Sequence, residues 1–175
     1  IAAGTYQLTD ALTVTDRDLV ISGPPSGRGT PTVTLIAPPG DRVFRFNGGQ
    51  SEATRLENLI IEGNDLGGGL LVQETTGDGP VIEDCIIQNC TFGYGAAIYL
   101  GSSDATKEHK LTVRRCSFEL NEADSHDNGV PVGDGGGIYA WNANLTVDDC
   151  AFVANSAVDD GGAILSRSSV VTLTE

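Results

Sequence analysis

Leu56-x-x-Leu59-x-Ile61-x-x-Asn64 recurs three times further along the chain. The later copies are Ile82-x-x-Cys85-x-Ile87-x-x-Cys90, Val113-x-x-Cys116-x-Phe118-x-x-Asn121 and Val147-x-x-Cys150-x-Phe152-x-x-Asn155. The spacing inside the ladder never changes, whereas the segments between copies differ in length. Fixed spacing with variable insertions describes a stacked core with loops on its outside.

A second ladder follows each copy of the first: Gly67-Gly68-Gly69-Leu70, Gly95-Ala96-Ala97-Ile98, Gly135-Gly136-Gly137-Ile138 and Gly161-Gly162-Ala163-Ile164. Glycine runs of this kind cost about 1 kcal/mol per residue in a helix. In a strand they mark tight bends or close backbone approach. One repeat therefore reads as a Gly-rich strand, a loop, and two short strands joined by a corner. Ankyrin and TPR units need helices, and leucine-rich repeats need a regular leucine consensus that this chain lacks. Hairpin sandwiches give no reason for like residues at like positions in successive copies, whereas parallel coils in register do. The reading is an all-β, right-handed, single-stranded parallel β-helix.

The N-terminal part fits with looser spacing. Tyr6 and Leu8, Leu12 and Val14, and Leu19 and Ile21 make a first coil; Val33, Leu35, Val43, Phe44 and Phe46 follow. Gly23-Pro24-Pro25 and Pro38-Pro39-Gly40 are breakers between strands. Residues 1–175 form one β-helix domain, with irregular first coils over 1–55 and regular coils over 56–175. About five coils, at about 4.8 Å each, give a body roughly 24 Å tall.

The formal charge is −14, from 24 acidic and 10 basic residues. Such a surface repels phosphate backbones and excludes nucleic acid as a partner. No apolar run approaches the length of a membrane span. The opening Ile1-Ala2-Ala3-Gly4 already reads like the inside of a fold, without initiator methionine or signal peptide. At the other end, Leu173 falls nine residues after Ile164, as Val147 does after Ile138. Leu173 should therefore begin a further copy of the ladder, and the chain reads as a piece of a longer secreted or surface protein.

Cys85, Cys116 and Cys150 share one inward row with Leu59, where a thiol acts as a small hydrophobe. Side chains on neighbouring parallel rungs sit about 4.8 Å apart, beyond the preferred disulfide Cβ separation. A vertical row does not converge on zinc. Free thiols are expected. Asn121 and Asn155 fall at a corner, where stacked amides bond between coils.

Gly161-Gly162-Ala163-Ile164, with the Phe-x-x-Asn pairs at Phe118 and Asn121 and at Phe152 and Asn155, resembles the repeats of chlamydial polymorphic outer membrane proteins. It also looks like a wider group of secreted β-helix repeat proteins. The resemblance implies the fold and an extracellular or cell-surface location, with a structural or adhesive role. Cys90 and Gly95-Ala96-Ala97 depart from the chlamydial pattern and favour the wider group.

Pectate lyases and polygalacturonases use the same kind of fold, so a polysaccharide lyase or hydrolase is a competing reading. The chain has only His109 and His126 and no Arg-Ile-Lys-like motif. Arg114 and Arg115 precede Asp148 and Asp149 by one coil, a placement that suits exposed ion pairs. Two clusters stand out as candidate sites. Asp134, Asp159 and Asp160 precede Gly-rich strands of adjacent coils, near Asp124 and Asp127, and oxygen-rich clusters of this kind suit calcium. Tyr99 and Tyr139 should form an outward stripe with Leu71 and Leu165, Trp141 beside them, able to stack on glycan rings or dock a protein. The partners so implied are a cell-surface glycan, a protein, or neighbouring copies of the chain.

Overall fold

The computed structural model describes residues 1–25, 29–64, 66–127 and 130–175. The chain winds as a parallel solenoid with three sheets, each six strands deep. The first sheet runs from Gly4–Gln7 through Val33–Ile36, Ile60–Glu62, Ile86–Gln88 and Ser117–Glu119 to Ala151–Val153. The second contains Leu12–Val14, Arg42–Asn47 and the four strands of the glycine ladder, Gly68–Gln73, Ile98–Gly101, Ile138–Trp141 and Ile164–Arg167. The third joins Val20–Ser22, Arg55–Glu57, Val81–Glu83, Lys110–Arg114, Asn144–Asp148 and Val170–Thr174. Each coil contributes one strand to each sheet, as the two ladders require. Six rungs extend the expected count of about five, and Leu173 stacks on Val147 as the nine-residue count predicts.

The ladder spacing follows from one backbone device. Asn58 (φ 55°), Asp84 (53°), Arg115 (50°) and Asp149 (48°) are left-handed corner residues between the third and first sheets. A strand alternates in and out; a left-handed residue interrupts that phase and turns the chain. Leu56 therefore points in, Glu57 out, Asn58 bends, and Leu59 points in again. The same device recurs at Asn89, Leu120 and Ala154 after the first sheet, which sets the final three-residue step to Cys90, Asn121 and Asn155.

Leu59 is fully buried, with Cys85 and Cys116 behind it in the core, while Cys150 is half-buried on the last rung. Backbone bonds from Ile86 N to Leu59 O (2.9 Å), Ser117 N to Cys85 O (3.0 Å) and Ala151 N to Cys116 O (2.9 Å) hold that row in register. All four cysteines are free. Above Ile61 and Ile87, Phe118 and Phe152 stack at 4.6 Å with rings 3° apart. Burial of each large apolar side chain contributes about 1.5–3 kcal/mol, which offsets the ordering of a loop-rich chain.

The asparagine corner is a continuous bonded column. Cys90 N donates to Asn121 Oδ1 (3.1 Å) and Asn121 N donates to Asn155 Oδ1 (3.1 Å). The Asn121 amide donates in turn to Ile87 O (2.9 Å) and Asn155 Oδ1 (2.8 Å). The glycines of the second ladder have an equally direct cause. A Cβ on Gly69 would run into the Ala97 carbonyl, and one on Gly137 into the Ala163 carbonyl.

Arg114 does lie beside Asp148 in register, but the ion pairs run to the preceding coil. Arg115 binds Asp84 (2.8 Å) and Glu83 (2.9 Å), and Glu83 also pairs with Arg55. Between the first sheet and the third copy of the glycine ladder the chain carries structure of its own. Glu122–Ala123 joins Thr91–Phe92 and Ser156–Ala157 in a short fourth sheet, and His126–Asp127 pairs antiparallel with Val130–Pro131. The side chains of His126 and Asp127 lie outside the described part of the molecule.

Candidate functional site

The outer face of the second sheet carries a column set by strand register: Arg45, Leu71, Tyr99, Tyr139 and Leu165 lie on successive rungs. Tyr99 and Tyr139 are therefore neighbours, stacked at 5.3 Å with rings 29° apart. Tyr94, directly before the second ladder, packs on Tyr139 at 5.6 Å and 57°. Burial pushes the phenols of Tyr99 and Tyr139 above their usual titration range, so both stay neutral donors at physiological pH.

Below Tyr99 the column steps down to Leu71 and Arg45, and the loss of ring volume opens a groove of about 420 Å³. Phe92, Tyr94 and Ser125 wall one side of it, and Gln73 stands along the strand from Leu71. Arg45 on its floor is paired with Asp41 and brings no net charge. Of the expected aromatic stripe, Tyr99 borders this groove. Tyr139 is only 4% exposed, covered from the Tyr94 side. Trp141 is half-buried two positions along, in the column of Gly101 and Arg167.

Arg42 fixes the groove wall. Its side chain lies over Gly68 in the space that glycine leaves, and runs along the solenoid axis. The guanidinium donates to Leu70 O (2.9 Å), Gly95 O (2.7 Å) and Tyr94 O (2.6 Å) and sits 4.2 Å from the Phe92 ring centre. Burial lowers its pKa to about 10, so it remains a cation at neutral pH. A cation–π contact and carbonyl dipoles take the place of a carboxylate partner. Phe92, Tyr94, Gln73 and Arg42 were not singled out in the sequence. Arg42 carried a readable signal, a charged residue at a rung position that later coils fill with glycine or alanine.

The three aspartates are brought together as their placement implies: ligand oxygens of Asp134, Asp159 and Asp160 lie within 4.8 Å of one another. Asp134 is 2% exposed, the other two are exposed. The Asp134 carboxylate accepts from Asp160 N (3.2 Å) and from Arg167 Nη2 (2.9 Å). Arg167 thus supplies the countercharge that the sequence assigns to a cation. The donor set suits calcium only with the guanidinium turned away, because a fixed positive group at hydrogen-bond distance repels a divalent ion.

His109 is 1% exposed. Its Nδ1 accepts from Glu74 N (2.9 Å), so the proton of the neutral ring is on Nε2, which faces Ser102 Oγ at 3.1 Å. A nitrogen that already carries a proton cannot take one from Ser102, so the pair is not an activated nucleophile. The thiols are equally quiet. Burial raises Cys90 to about 12, and contact within the cysteine row together with burial raises Cys150 as well.

Another groove, of about 670 Å³, runs along the corner between the third and first sheets. It is lined by Asp84, Arg115, Asp149 and residues 29–31.

A family model described as a right-handed β-helix region matches residues 44–152, more than half of the chain. The chain belongs to that family, and its parallel solenoid of six rungs agrees with it. No curated protein and no solved structure matches. Among the described residues no helix is long and apolar enough to cross a membrane.

Proposed function

We propose that this chain is a structural or adhesive module displayed outside the cell, a rigid β-helix that meets its partner through the outer face of the second sheet. The observation that carries the reading is the groove below Tyr99. It presents aromatic edges and amide and hydroxyl groups on a scaffold locked by Arg42 and the rung hydrogen bonds. Large aromatic groups with a polar tip suit a partner that is partly apolar and partly hydroxylated. The chain's acidity and the internal pairing of Arg45 with Asp41 favour a partner without strong negative charge. The extracellular setting rests on the resemblance of the Gly-Gly-Ala-Ile and Phe-x-x-Asn motifs to the repeats of secreted β-helix proteins.

A glycan-binding module is the second reading, favoured by the same ring surfaces. A polysaccharide lyase or hydrolase is supported by the family alone. One experiment separates them: the chain and its Tyr94→Ala and Tyr99→Ala variants are applied to a glycan array and to whole cells. The same polysaccharides are then assayed for new reducing or unsaturated ends. Cell attachment lost in both variants, without product, supports the adhesive reading; retention on purified glycans identifies the partner as sugar. Product formation overturns the non-catalytic reading, and attachment unaffected by either variant removes the groove from it.

A further inference from the structure

The buried ring of His109 belongs to no proposed binding surface, yet it joins three parts of the solenoid. It lies at the end of segment 102–108, which leaves the second sheet after Gly101 and leads into the third sheet at Lys110. Its Nδ1 holds the corner amide of Glu74 on the preceding coil, and its carbonyl accepts Asn144 N (2.8 Å) on the next. Beside it, Thr75 N donates to Glu108 O (3.0 Å) and Lys110 N donates to Thr75 Oγ1 (2.7 Å). Ser102 Oγ, which accepts the Nε2–H hydrogen bond, also accepts Asp104 N (3.2 Å) and so shapes the start of the segment.

We propose that His109 is an acid-sensitive latch whose second protonation releases segment 102–108 from the corner at Glu74 and Thr75. The geometry leaves one place for that proton. Nε2 is already protonated, so it must enter at Nδ1, where it meets the Glu74 N–H head on. Two donors cannot share that contact, and the buried corner amide loses its acceptor. The charged groups around the ring are Glu74 on the preceding coil, Asp104, Lys107 and Glu108 on the segment itself, and Lys110 beside it; the next coil contributes the neutral Asn142 and Asn144. Glu74 is paired with Lys107 (3.5 Å) and Glu108 with Lys110 (3.3 Å). Burial outweighs the pull of Glu74 and Asp104 and keeps the ring below its ordinary titration range.

The sign follows from linkage. The released ring binds its proton more readily than the latched one, so the latch is fully closed above about pH 6.5 and weakens as pH falls towards the lowered folded value. Across that window the protection of the corner amides drops by up to about tenfold per pH unit. Gln73, which lines the groove, donates to Gly101 O (3.1 Å) at the root of the segment, so release also loosens the groove's edge.

The test uses a His126→Gln chain, which leaves His109 as the single histidine. Imidazole nitrogen NMR and amide exchange are followed from neutral to mildly acidic pH. Expected are an Nε2–H tautomer, titration below about pH 6.5, and falling protection at Glu74, Thr75 and segment 102–108 while strand Ile86–Gln88 is unchanged. His109→Gln, which can keep both hydrogen bonds but not titrate, should flatten the response. An Nδ1–H tautomer, titration at or above the ordinary value, or the same loss of protection in His109→Gln overturns the proposal. If His109→Gln does not fold, the tautomer and titration of His109 decide alone.

Discussion

Asn121→Ala tests whether the asparagine column, rather than hydrophobic stacking alone, holds the coils together. Asn121 has no exposed surface, and its side chain makes bonds at 2.8, 2.9 and 3.1 Å. Alanine removes all three and strands the buried Cys90 N–H. Each lost bond is worth about 1 kcal/mol net, and an unsatisfied buried donor costs about 1–3 kcal/mol more. Part of the two overlaps, so about 4 kcal/mol is expected, a large share of the 5–15 kcal/mol typical of a domain. In urea, with a slope of about 2 kcal/mol/M, the midpoint should fall by about 2 M at unchanged slope. Asn155→Ala is the internal comparison. Its Oδ1 accepts from Asn121 N (3.1 Å) and the Asn121 amide (2.8 Å), and its own amide donates to Phe118 O (2.9 Å), but it is half-buried on the last rung, where water can replace part of these bonds. It should cost half as much, about 2 kcal/mol. A loss below about 1 kcal/mol for Asn121→Ala, or equal losses for the two variants, would refute the column as a source of stability.

Arg42→Met should cost about 2–3 kcal/mol, because the freed carbonyls of Tyr94 and Gly95 lose a charged donor. Faster proteolysis after residue 94 than at the other coils would accompany it, and unchanged cleavage counts against the clasp. Gly101→Ala combines a φ of 115° with a Cβ driven into the Trp141 carbonyl, so a loss above about 3 kcal/mol in thermal unfolding is expected. A thiol reagent at pH 8 should leave Cys90 unmodified in the native chain and label all four cysteines in denaturant. The raised Cys90 pKa of about 12 leaves almost no thiolate there. Non-reducing peptide mapping should find no Cys85–Cys116 link. Millimolar calcium should shift the melting temperature little in the native chain and more in Arg167→Gln, where Asp134 loses its guanidinium. Equal shifts in both would place the ion elsewhere.

The fold was legible because its periodic terms are local in sequence. An inward residue every coil, small residues before one aliphatic, and asparagine at a fixed offset are all demanded by parallel stacking, and each is visible as repetition at Leu56, Gly69 or Asn121. The grouping of Asp134 with Asp160, and of Tyr99 with Tyr139, followed from the same register. What the sequence does not display is the cause of the spacing. Arg115, Leu120 and Ala154 adopt the left-handed backbone that Asn58 or Asp84 would advertise, because neighbouring coils impose the corner and outweigh the roughly 1–2 kcal/mol local preference against it. Nor does repetition reveal contacts made once. Arg42 reaches 53 residues ahead to Gly95, Arg167 turns back 33 residues to Asp134, and His109 receives the amide of Glu74 35 residues earlier. A long side chain finds its partner by distance across coils, and that distance exists only after the coils have stacked. The tertiary structure alone therefore decided that the acids have an internal countercharge, that Tyr139 is covered, and that the groove lies below Tyr99.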